Sequence, residues 1–181
     1  MDLNTFIIQL LHERGDTIHG RVQLQKLVYF CKALGVNINA SYKLYIYGPY
    51  SQQVADALQD CVADDILTEA NGIIEKGKEY DEFFDFIVHT GTVLDTRSKS
   101  IVHDILQLCG TMTTKELEIT ATTFFINRQQ KALFGDDNKE AVIRKVSNAK
   151  GNRFNQEEIE RSYYRVSTEF LALEKKYALA M

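Results

Sequence analysis

Apolar and polar positions follow one another along the chain with two periods, and the changes between them predict the elements. Leu3, Phe6, Ile7, Leu10 and Leu11 fall on one face of a helix from Asp2 to Arg14, which Gly15-Asp16 stops. Thr17-Ile18-His19 reads as a short strand. Leu24, Leu27, Val28, Cys31 and Leu34 then mark the buried face of a second helix, and Gly35 ends it. From Lys43 to Tyr47 the period drops to two, which predicts a strand with Tyr45 and Tyr47 on one face and Leu44 and Ile46 on the other. Gly48-Pro49 reads as the turn that ends it, and Ser51 as the side-chain cap of a third helix reaching Asp65, with Val54, Leu58, Cys61 and Val62 inward. Asn71-Gly72, flanked by Ile66-Leu67 and Ile73-Ile74, predicts a hairpin over residues 66–80.

Beyond Asp81 the pattern is helical. Phe83, Phe84, Phe86, Ile87 and Val88 suggest a short linking helix, and Ile101, Val102, Ile105, Leu108 and Cys109 a longer one from Ser98. Thr113 and Glu116 have the spacing of a capping box, opening a helix to about Lys131 with Leu117, Ala121, Phe124 and Phe125 inward. A loop at 135–138 and a helix from Lys139 to Val146 follow. Asn155 and Glu158 make a second capping box for a last helix to Ala178, where Ile159, Tyr163, Val166, Phe170, Leu173 and Tyr177 trace a heptad seam. The seam would serve either internal packing or a homodimer. The expected fold class is mainly α with a small β component. Three helices followed by a hairpin form a winged-helix-like unit over residues 1–92, packed as one body on a helical half over 93–181.

Composition narrows the function classes. The 181 residues carry a net charge of −4, which does not favour a general nucleic-acid binder. No apolar run approaches the length of a membrane span, and the N-terminal residues lack the basic start and cleavage site of a signal peptide. Cys31, Cys61 and Cys109 sit among apolar helix positions without motif spacing, which suggests buried thiols in a reducing compartment, the cytoplasm. His12, His19, His89 and His103 are scattered, with no HExxH, no Cys/His ligand spacing, no Gly-rich phosphate loop and no GxSxG. The reading is therefore a non-enzyme without metal or cofactor.

Gly20-Arg21 leading into Leu24-Gln25-Lys26-Leu27-Val28-Tyr29-Phe30, and then Tyr47-Gly48-Pro49-Tyr50-Ser51 with Val54 and Leu58, resemble the LQK…YF and YGP signatures of YwgA-type proteins, which are related to the Panacea (SocA-like antitoxin-associated) domain. Glu116-Leu117-Glu118-Ile119 and the later Asn155 to Ile159 add a weaker likeness. The wider group often has Trp shortly before its Gly-Pro, where this chain has Tyr45 and Ile46. The resemblance implies a protein-binding regulator, antitoxin- or adaptor-like, with no chemistry of its own.

Two sets of candidate contacts follow. For a protein partner, a toxin or another basic protein, they are Gln25, Lys26 and Tyr29 on the second helix, Tyr45, Tyr47 and Tyr50, and Asp56 and Asp60 on the third helix. The alternative function is a winged-helix DNA-binding transcriptional regulator. The third helix, where bases would be read, holds Asp56, Asp60, Asp64 and Asp65 and no cation, so it would repel phosphates. Nucleic-acid contact would fall instead to Arg144, Lys145, Lys150 and Arg153, the one basic stretch. Without such a partner that stretch would be a solvated loop, and Lys26 a stem packed over aromatic rings.

Overall fold

A computed structural model describes residues 1–135 and 138–178, so residues 136 and 137 of the expected 135–138 loop lie outside the described residues. The protein is mainly helical with a small antiparallel component. It divides into two compact units, one of Met1–Tyr42 with Ser51–Thr111, the other of Lys43–Tyr50 with Met112–Met181.

The first unit opens with α1 (Leu3–Arg14), β1 (Thr17–Ile18) and α2 (Gly20–Ala33). The chain then leaves it for β2 (Lys43–Tyr45) and β3 (Gly48–Tyr50), which belong to the second unit. It returns for α3 (Gln52–Ala63), β4 (Leu67–Ala70), β5 (Ile73–Lys76), α4 (Tyr80–His89) and α5 (Thr96–Cys109). The expected hairpin forms: β4 and β5 pair from Leu67↔Lys76 to Ala70↔Ile73. Asn71 and Gly72 both take positive φ, at 53° and 74°, as a two-residue type I′ turn requires. β1 adds to the far edge of β5, giving the antiparallel order β1-β5-β4. This is the element order of a winged helix, with β4–β5 as the wing. Beneath it, Phe6, Ile7 and Leu10 of α1, Leu24 and Val28 of α2, Val54 and Leu58 of α3, and Ile101, Val102 and Ile105 of α5 are buried. The apolar stripe of α5 packs on α1 and α2. α5 thus belongs to the first compact unit, which ends at Thr111.

Two expectations around Ser51 need correction. Residues 43–50 form an antiparallel hairpin, with Lys43↔Tyr50, Leu44↔Pro49 and Tyr45↔Gly48, and not a single strand ended by Gly48-Pro49. The chain turns at Ile46-Tyr47, neither of which has positive φ, and Gly48 at φ +88° supplies the left-handed residue that brings the chain back into register. Pro49 is accommodated because β3 has no second strand neighbour that needs its missing N–H. Ser51 is the N-cap residue of α3, but its hydroxyl makes no cap bond and donates instead to Gln53 Oε1 at 3.0 Å.

The second unit is built around α6 (Thr114–Phe134), on which α7 (Lys139–Lys150), a 3-10 turn (Gly151–Arg153), α8 (Gln156–Arg165), a π turn (Val166–Phe170) and α9 (Leu171–Ala178) follow. Ile119 and Ile126 of α6 join Val142, Val146, Phe154 and Ile159 in its core. Phe124 meets Phe170 with ring centroids 5.4 Å apart. Seam residues Ile159, Val166, Phe170 and Tyr177 are buried within the chain. The π turn has a local cause: Ser167 and Thr168 hydroxyls both donate to the Tyr164 carbonyl, at 2.9 and 2.8 Å, which competes with the helix's own ladder.

Both expected capping boxes form, Thr113 with Glu116 and Asn155 with Glu158. The Thr113 backbone N–H holds the Glu116 carboxyl below its ordinary value of 4.5, and Lys115, followed by the Asn155 backbone N–H, does the same for Glu158. The folded protein thus binds fewer protons at these groups than the unfolded chain. Their contribution is complete above the ordinary carboxylate value and is lost as pH falls through the depressed ones. The urea midpoint is expected to fall below about pH 4.5. A Glu116→Gln, Glu158→Gln double variant, whose amides still cap, should show a shallower acid slope in the same titration.

Candidate functional site

The hairpin β2–β3 ends in an exposed, mostly apolar tip. Tyr45, Ile46 and Tyr47 are 61%, 68% and 55% exposed, and Leu44 is at the margin. Single exposed hydrophobic residues are ordinary, but four in succession on a tight turn are not. Tyr45 and Tyr47 do not share a strand face as alternation predicted, because the turn intervenes between β2 and β3. Tyr45 leans on the half-buried Tyr50, ring centroids 5.3 Å apart.

The tip is held from beneath by a cluster of charges. Lys150, on the last turn of α7, has a fully buried side chain, and its Nζ donates to the Ile46 carbonyl at 2.8 Å and to Glu118 Oε1 at 2.8 Å. Arg153, from the 3-10 turn, donates to Glu118 Oε2 at 3.0 Å and to the same Ile46 carbonyl at 3.4 Å. Its guanidinium also lies over the Tyr47 ring, 4.5 Å from the centroid. Glu118, 5% exposed, spans the two cations from the buried centre of α6. Burial pushes the Lys150 ammonium below the usual lysine range, and the hydrogen bond to Glu118 opposes that push. Charges so buried cost several kcal/mol each to desolvate, so they persist only when well paired. Here the pairing serves the carbonyl of one exposed residue, Ile46, and the ring of another, Tyr47.

The other candidates are placed elsewhere. Gln25, Lys26 and Tyr29 are buried, at 4%, 2% and 6% exposure, and present no surface. Gln25 grips the start of α3: its Nε2 donates to the Ser51 carbonyl at 2.9 Å and its Oε1 accepts from the Ser51 N–H at 3.0 Å. Tyr29 packs edge-on against Tyr42, centroids 5.1 Å apart. Asp56 and Asp60 are exposed on α3, with Asp56 accepting from Gln52 at 2.8 Å. The basic stretch is not one patch. Arg144 is exposed, Lys145 donates to Gln130 at 2.6 Å with its ammonium over the Phe134 ring, and Lys150 and Arg153 are the tip's anchors. Glu118 was not singled out from the sequence as a site residue. The signal was a lone acid between Leu117 and Ile119 in a helix whose next residues are all uncharged.

No family model and no curated protein matches this chain. The geometry therefore stands alone. Among the described residues no group of His, Cys, Asp or Glu could hold a metal ion. A cleft of about 350 Å³ opens at the first turns of α6 and α8, floored by Ile119 and Phe154. Its charges face one another, Lys115 with Glu158 at 2.6 Å and Arg165 with Glu116 at 3.8 Å, which makes it a joint between helices. Among the described residues no helix is long and apolar enough to cross a membrane.

Proposed function

We propose that the protein is a non-catalytic protein-interaction module whose contact surface is the tip at residues 44–47. The observation that carries this reading is the bond from buried Lys150 to the carbonyl of exposed Ile46. A binding surface gains most when its aromatic anchors are rigid before the partner arrives, since less side-chain and loop entropy is then lost. Tyr45, Ile46 and Tyr47 are anchors of the right kind, and Glu118, Lys150 and Arg153 fix their backbone and one of their rings. An antitoxin- or adaptor-like role, implied by the resemblance to YwgA-type proteins, is one form such binding would take. A cytoplasmic setting accords with three buried cysteines that form no disulfide.

The test is photo-crosslinking from position 46 in the native host, with the tip variant Tyr45→Ser, Ile46→Ser, Tyr47→Ser as the comparison in a parallel pull-down. A defined protein crosslinked from position 46, and retained about ten-fold less by the variant, is the expected result. Equal retention by the variant would overturn the assignment.

The order α1-β1-α2-α3-β4-β5 favours a second reading, the winged-helix transcriptional regulator. Against it stand the acidic α3 and the commitment of Lys150 and Arg153 to Glu118. Nuclease treatment before the pull-down separates the two, because retention through DNA would vanish with it.

A further inference from the structure

A second surface, on the first unit, is open in a different way. Where the wing returns to α4, Ile66, Phe83 and Phe86 line a shallow groove of about 450 Å³. Phe83 and Phe86 lie with ring centroids 6.1 Å apart, and Phe86 is 60% exposed. The rim is Asp64, Glu79 and Glu82. None of the three makes an ion pair among the described residues, whereas the nearby cations are committed elsewhere: Lys78 to Asp65 at 2.7 Å, and Lys76 to Asp16 at 2.9 Å with Asp81 at 4.0 Å. Asp56 and Asp60 continue the line of carboxylates from Asp64 back along α3 at four-residue steps, on one helix face and over about 12 Å.

The geometry points to this groove as a docking site for a cationic amphipathic segment of another protein, which places one or two bulky apolar side chains on Phe83 and Phe86 and Lys or Arg against Asp64, Glu79 and Glu82. Charge complementarity selects that occupant. Three carboxylates without a close ion pair, of which only Glu79 feels the neighbouring Lys78 ammonium, surround an apolar floor, so the groove repels an acidic peptide and the phosphates of nucleic acid and attracts a segment that carries both features. A second copy of the chain is disfavoured on the same ground, since its corresponding face is equally negative. This inference uses a surface separate from the 44–47 tip and does not depend on it.

The test is selection of a displayed library of random peptides, about 12 residues long, on the immobilised full chain. Individual peptides are then measured by fluorescence anisotropy. The expected winners combine Leu, Phe or Trp with neighbouring Lys or Arg. They bind about ten-fold more weakly to Phe86→Ser and to Glu79→Lys, Glu82→Lys, weaken as salt is raised, and bind the tip variant undiminished. No enrichment, winners without that signature, or winners indifferent to both groove variants would overturn the proposal. All three substituted residues are exposed, and the charge variant leaves the apolar floor intact, so it remains a test should Phe86→Ser fold poorly. Winners lost only on the tip variant would assign binding to the tip and overturn the groove.

Discussion

Replacing Lys150 by Met is expected to lower stability by about 3–5 kcal/mol, the usual consequence of removing one partner from a buried ion pair. Met keeps the length of the stem but leaves Glu118, 5% exposed, with Arg153 as the partner at its other oxygen. A double variant, Glu118→Leu with Lys150→Met, is expected to lose less than the single one. It removes the buried carboxylate that has lost its buried partner, and Arg153, 41% exposed, can turn to water. Chemical denaturation of the two variants measures this inversion. Hydrogen exchange at the 44–48 amides then separates stability from positioning. The double variant regains stability yet still lacks the Lys150–Ile46 bond, so its tip amides should exchange faster than those of the parent. Tip amides equally protected in the double variant would mean that Lys150 does not hold the tip.

How much of this was visible in the sequence depended on whether an element presents one face or several. α1, α2 and α3 show their apolar stripes at helical spacing, and Asn71-Gly72 marks the wing because few other residues tolerate two positive φ values in succession. The central helix α6 shows a stripe too, Leu117, Ala121 and Phe124, but it understates the burial: residues 117–124 are buried on every side, so Thr120, Thr122 and Thr123 lie inside with them, and periodicity does not mark those positions. Glu118 was hidden by the same circumstance. The hairpin tip was missed for a different reason. Alternation in Leu44-Tyr45-Ile46-Tyr47 matched a strand, and Gly48-Pro49 matched a stop. What decides between strand and turn there is that β3 pairs on one side only and that the Ile46 carbonyl has a buried donor about a hundred residues away in sequence, at Lys150. Local pattern does not carry a contact of that range. Nor does local pattern show which helices α5 joins: it packs on α1 and α2, which precede it by some sixty residues or more.

Gly77→Ala is the other change with a large expected effect, and it bears on the groove. Gly77 follows β5 and crosses the start of the wing so closely that an added Cβ would stand 2.0 Å from the Asp65 carbonyl oxygen and 2.9 Å from the Ile66 carbonyl carbon. These are backbone atoms, so no rotamer change relieves the overlap. The chain must part instead, and the crossing is tied by two hydrogen bonds, from the Gly77 N–H to the Ile66 carbonyl at 2.9 Å and from the Glu79 N–H to the Asp65 carbonyl at 3.1 Å. Relief therefore means displacing β5 from the end of α3 and breaking at least one of these bonds. A loss of about 3 kcal/mol or more is expected, at the upper end for overpacking because backbone and not side chain must yield. The same movement carries Glu79 and the first turn of α4 away from Asp64 and Ile66, which line the groove with them. Thermal denaturation of Gly77→Ala should show the loss of stability. Anisotropy with a selected cationic peptide, at a temperature where the variant is still folded, should show weakened binding as well. Weakened stability with binding intact would mean that the groove does not depend on this crossing for its shape.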